Sequence, residues 1–145
     1  VKRGRAVVAA FVLLTSALAA GCGSGSAVSD LGTVVKGAKG TTVRAELRPG
    51  QRFSLAVPDN PSVGDDWRLV AVPDAKVASY ISEERQGTGE GPGSGGTAYF
   101  VFNTKNPGSA EITLRDCWRC GQGTTPPDEE SRRQSGEAIF EITVR

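Results

Sequence analysis

The chain has no histidine at all. That absence closes Ser-His-Asp and Cys-His catalysis and removes the commonest neutral general base and metal ligand. Cysteine is nearly as scarce, with three residues in 145, so no disulfide framework holds the fold. Long hydrophobic runs are missing too, apart from Ala6 to Ala20 behind the basic residues Lys2, Arg3 and Arg5. That run is too short for a relaxed bilayer-spanning helix and ends in small residues, the form of an export signal. Clustered positive charge is also lacking. Without residues 1–21 and their three basic side chains, fourteen Lys and Arg face sixteen Asp and Glu, a formal charge of −2. Phosphate backbones are bound by clustered cations, so nucleic acid is not an expected partner.

What remains is organised in three stretches: a signal over 1–21, a flexible tether over 22–40, and one folded domain over 41–145. The signal leaves through L-A-A-G-C, Leu18 to Cys22. This resembles the lipobox of bacterial lipoproteins, which implies a lipid on Cys22 and a domain held at the outer face of the cell membrane. The tether is rich in Gly and Ser and should span roughly 20–25 Å as a random coil.

From Thr41 the apolar period becomes two. Val43, Ala45 and Leu47 alternate with Arg44 and Glu46, Phe53, Leu55 and Val57 recur at every second position, and Trp67, Leu69 and Ala71 continue the pattern. A shorter strand is expected over 77–82. TAYFVFN from Thr97 has the aromatic and β-branched content of a strand, and Ala110-Ile112-Leu114 and Ala138-Phe140-Ile142-Val144 complete the series. Seven short strands, turn signals between them and no amphipathic helix predict an all-β, Ig-like antiparallel β-sandwich. Two long polar segments, 83–96 and 121–136, interrupt it, and loops of that length are often functional or disordered. In a seven-strand order the loop at Asn60, the loop at Gly96 and the loop after Cys117 leave the sandwich at one end.

Three motifs sit in those loops. NPSVGDDW, from Asn60 to Trp67, combines a turn-forming Asn-Pro with Gly64 and a Trp placed to anchor the following strand. Asp65 and Asp66 read as solvated charges, since a calcium site would need more oxygen ligands. GSGG, Gly93 to Gly96, precedes the aromatic strand. CWRC, Cys117 to Cys120, reads first as a disulfide in an oxidising compartment. A redox-active pair is a weaker reading without a helix start to lower a thiol pKa, and a zinc site lacks two ligands.

Together and in this order, Asn60-Pro61-Ser62-Val63-Gly64 with Trp67, the G-x-G-G before Thr97, and N-P-G-x-A-x-I-x-L at Asn106 to Leu114 resemble the chagasin-type inhibitors of papain-like cysteine proteases. The departures are Val63 for the family's second Thr, Asp65 for its Tyr, and L-R-D-C-W-R-C where it carries R-P-W. The resemblance implies a monomer that needs no cofactor or metal, is no enzyme, and inhibits by a reversible, competitive three-loop wedge. Its protease-binding residues would be Asn60, Pro61, Ser62, Val63 and Gly64, flanked by Gly93, Gly95 and Gly96 on one side and by Arg115 and Trp118 on the other. The alternative is the same sandwich as a non-catalytic surface module for an envelope protein or other extracellular ligand.

Overall fold

The structure is a computed structural model, and it describes residues 30–145. The signal over 1–21 and Cys22 lie outside the described residues. Eight strands form two four-stranded sheets. They are β1 (Thr33–Lys36), β2 (Thr41–Leu47), β3 (Arg52–Asp59), β4 (Trp67–Leu69), β5 (Ala78–Gly87), β6 (Gly96–Thr104), β7 (Gly108–Asp116) and β8 (Gly136–Val144). One sheet runs β1-β3-β6-β5 and the other β2-β8-β7-β4.

The expected sandwich is present, with three differences. The segment read as tether through residue 40 contains β1, which pairs in parallel with β3 and buries Val35 against the core. Four consecutive residues, T-V-V-K, are too short for their alternation to stand out from a Gly/Ser-rich stretch. β2 also pairs in parallel, with β8, so each sheet carries one parallel strand at its edge. The polar segment 83–96 is half strand: β5 continues to Gly87 through Glu83, Glu84 and Arg85. It is an edge strand, where outward charge blunts sheet-to-sheet pairing.

The alternating residues build the core as the period of two requires. Phe53, Leu55 and Val57 of β3, Phe100 and Phe102 of β6, Ile112 and Leu114 of β7, and Phe140, Ile142 and Val144 of β8 are buried to 1% exposure or less. Phe53 and Phe102 stack at 5.3 Å between ring centroids, and Tyr80 meets Phe102 edge-on at 5.4 Å. Each such side chain contributes about 1.5–3 kcal/mol by leaving water. Ala71 falls outside β4 and is exposed.

Register decides where the loops emerge. Asp59, the last residue of β3, lies opposite Gly96, the first of β6, and Gly96 lies opposite Gly87, the last of β5. In the other sheet Trp67 pairs with Asp116, and Asp116 with Gly136. The ends of β3, β5 and β7 therefore share one end of the sandwich. Loop 1 (60–66) crosses between sheets there, while loop 2 (88–95) and loop 3 (117–135) close the β5–β6 and β7–β8 hairpins.

Candidate functional site

Loop 1 is curled on itself. The Asn60 carbonyl accepts from the N–H groups of Val63 (3.1 Å) and Asp65 (3.2 Å), and the Pro61 carbonyl accepts from Gly64 (3.2 Å). Pro61, Ser62 and Val63 are exposed at its crest. Its stem is closed by Trp67, which is 1% exposed and donates its indole N–H to the Pro58 carbonyl at 2.9 Å. The indole thus ties the strand leaving the loop to the strand approaching it, and a buried indole N–H needs such a partner.

Loop 3 locks against loop 1. The N–H of Arg119 donates to the Gly64 carbonyl at 2.8 Å, and its Nε donates to the Val63 carbonyl at 3.1 Å. The Cys117 N–H donates to the Asp66 carbonyl at 3.1 Å. Gly64 has φ +124°, and a Cβ there would lie 2.4 Å from Arg119 Cγ and 3.2 Å from Trp118 Nε1. Both the backbone angle and the space demand glycine. The Cys117–Cys120 disulfide closes the turn that carries Trp118 and Arg119. Such a small ring stabilises by about 2 kcal/mol in the chain-entropy view.

On the other flank, Asn60 Nδ2 donates to the Gly93 carbonyl at 3.1 Å, and Gly95 packs beside the Asn60 side chain. Gly96 has no room for a side chain, since a Cβ would stand 2.1 Å from the Gln86 carbonyl oxygen. Between loops 1 and 2 lies a cleft of about 330 Å³. Asp59 lines it, buried, with Oδ1 lacking a hydrogen-bond partner and Arg85 at 3.6 Å from Oδ2. Burial pushes the Asp59 carboxyl above the ordinary aspartate range; Arg85 opposes this and the charges of Asp65 and Asp116 add to it.

The three loops of the resemblance therefore meet at one end, and Asn60, Pro61, Ser62, Val63, Gly64, Gly93, Gly95 and Gly96 belong to it. Two candidates sit differently from what the resemblance implies. Trp118 is 8% exposed and packs inward behind Gly64, so it backs loop 1 from within. Arg115 projects from β7 and spends its guanidinium on Glu137, its cross-strand neighbour on β8. It stands below the crest.

Asp65 and Asp66 are not merely solvated. Asp65 Oδ2 accepts the Asn60 N–H at 2.8 Å and its Oδ1 lies 3.2 Å from Lys39 Nζ; Asp66 pairs with Arg68. Lys39 also pairs with the fully buried Asp116 and donates to the Gln134 carbonyl at 2.7 Å. Partial burial opposes its charge, but Asp116 and Asp65 outweigh that and raise its pKa. Asp116 is pushed upward by burial despite Lys39 and the Asp66 N–H that it accepts. Lys39 was invisible as a site residue because it lies in the stretch read as tether, one residue before the Gly40 turn. Loop 3 also holds the short helix α1 (Glu129–Gln134), capped by the Asp128 side chain on the Ser131 N–H. The D-E-E-S-R-R sequence carries the cap, the acidic first turn and the basic last turn of a helix, but six residues are too few to show a period.

The described residues form a β-sandwich that gathers three loops at one end, with loop 1 bonded to both of its neighbours. The profile described as chagasin family peptidase inhibitor I42 matches residues 46–132, and the chain belongs to that family. Its members are inhibitors and not catalysts. The chain is similar in structure to EhICP2, a cysteine protease inhibitor of Entamoeba histolytica, at 12% identity and TM-score 0.51 over 78% of this chain and 96% of that one. It is also similar to amebosin, at 16% identity and TM-score 0.52 over 78% and 98%. PbICP-C, whose structure is in complex with falcipain-2, aligns at 13% identity and TM-score 0.55 over 79% and 100%. At these identities the neighbours show the fold. No curated protein sequence matches the chain.

Proposed function

We propose that this peptidase inhibitor acts on papain-like cysteine proteases, seating the three-loop end in the catalytic cleft as a reversible, competitive wedge. The observation that carries the reading is the convergence itself: loop 1 stands between loops 2 and 3 and exposes Pro61, Ser62 and Val63. Support also comes from the family and from the partner of PbICP-C, falcipain-2. Loop 1 suits blocking better than being cut. A peptidase takes its substrate as an extended strand whose backbone groups are free to pair. Here the Asn60 and Pro61 carbonyls are already engaged within the turn, so the peptide bonds at the crest are held away from a cleavable geometry. The departure at Asp65 has a structural role, capping Asn60 and pairing with Lys39, and does not by itself redirect the surface. We also propose attachment to the outer face of a bacterial membrane through a lipid on Cys22. Metabolic labelling with palmitate should be lost in Cys22→Ala.

The experiment for the inhibitory reading is titration of the purified protein against papain with a fluorogenic peptide substrate. Stoichiometric or micromolar inhibition supports it. Full activity at a large micromolar excess refutes it and leaves the general surface-binding module.

A further inference from the structure

We infer that Arg119 is a specificity-determining residue that presents a preorganised guanidinium fork to a carboxylate on the rim of the target peptidase's cleft. The inference rests on the inhibitory reading and deepens it. Three observations on the same residue point this way.

The first is backbone cost. Arg119 has φ +52°, and among the described residues it is the only non-glycine at positive φ. Glycine adopts that conformation freely, whereas a side chain there is strained. A long cationic side chain in such a place calls for a use. The second is fixation. Nε is held on the Val63 carbonyl at 3.1 Å, the guanidinium carbon lies 4.3 Å from the centroid of the Trp118 ring, and the disulfide closes the turn on both sides. Stacking and an anchored Nε remove most of the rotamer freedom that an arginine loses on binding. The third is availability. Arg68, Arg85 and Arg115, near the same end, spend their guanidinium groups on Asp66, Glu83 and Glu137. No carboxylate among the described residues lies within salt-bridge distance of Arg119, which is exposed. Among the described residues only Nε of its guanidinium has a hydrogen-bond partner, which leaves the two Nη groups without one. Paired, fixed N–H donors match the two oxygens of a carboxylate. With Trp118 buried beneath, Arg119 is the part of the CWRC turn that a partner would touch.

The test compares wild type, Arg119→Gly, Arg119→Gln and Arg119→Lys as inhibitors of papain, measuring Ki and association rate between low and high sodium chloride. Arg119→Gly removes the fork while relieving the backbone, so its thermal midpoint should not fall. Glycine and glutamine should each weaken inhibition by about tenfold to a hundredfold, the scale of a charge-assisted contact. They should also flatten the salt dependence that a charge pair imparts. Lysine should retain the salt slope and recover only part of the affinity. A role confined to positioning loop 1 would leave the salt slope as in wild type in all variants, and that result overturns the inference, as does an unchanged Ki. If wild type itself leaves papain fully active, the inhibitory reading fails first and this inference with it.

Discussion

The two flanks of loop 1 are built differently. Toward loop 3 every approach is filled: Gly64 has no space for a methyl group, Trp118 is buried behind it, and Arg119 bonds two successive loop 1 carbonyls. Toward loop 2 the contact is one side-chain hydrogen bond, Asn60 to Gly93, and Gly95 beside the same side chain, at an open cleft. A Cβ at Gly89, Gly91 or Gly93 would meet nothing, and the loop is held by the Thr88 N–H on the Gly95 carbonyl at 3.0 Å and by Ser94 with Thr88 and the Gly91 carbonyl. In the proposed wedge, the closely packed flank would fix the crest while the open one would adapt to clefts of different width. The rigid flank lowers the ordering cost of binding, and the yielding flank gives little stability.

The comparison can be broken at four points. Trp67→Ala should have the largest effect, since it empties the stem common to both flanks: about 3–5 kcal/mol of stability lost in denaturant unfolding. Gly64→Ala strikes the rigid flank alone. Strain of about 1–3 kcal/mol must be relieved by parting loop 1 from Arg119, so affinity for papain should fall roughly tenfold to a hundredfold. A stability loss with unchanged Ki would show that the interlock does not set the crest.

Asp59→Asn probes the cleft under the yielding flank. Its carboxyl has a folded-state pKa above the ordinary value of 3.8. A group of that kind favours the fold fully below the ordinary value, and the contribution is lost as pH rises through the raised one. At pH 7 the charged form therefore costs stability. The asparagine variant should unfold later than wild type by a few tenths to about 1 kcal/mol, and the gap should close as pH falls toward 4. A gap that widens on acidification would contradict the sign. Ser94→Ala should do least, about 0.5 kcal/mol or less in stability and under roughly threefold in Ki, because both of its hydrogen bonds are exposed.

The contrast also explains what was legible in the sequence. The sandwich was readable because Phe53-Leu55-Val57 and Phe140-Ile142-Val144 recur at every second position over enough residues to define a face. Loop 1 was readable because Asn-Pro, Gly64 and Trp67 each state a backbone requirement locally. The third loop was not. Whether Trp118 or Arg119 faces outward depends on the left-handed backbone at Arg119 and on Gly64 vacating the space beneath the indole, 54 positions earlier in the chain. Spacing along the chain carries no trace of that. Lys39 was hidden for the same reason: its partners Asp65 and Asp116 are brought to it by register, and β1 before it is too short to announce the fold. Arg115 was named on the resemblance alone, and its pairing could not be read locally because its cross-strand partner, Glu137, lies beyond a loop of nineteen residues, 117–135.

Steady-state kinetics of papain at several substrate concentrations test the central claim most directly, that the looped end occupies the catalytic cleft. If it does, the apparent Ki rises linearly with substrate from its value at zero substrate, the limiting rate stays unchanged, and Gly64→Ala raises both the intercept and the slope of that line. A limiting rate that falls with added protein while KM stays constant would place the contact outside the cleft and contradict the account.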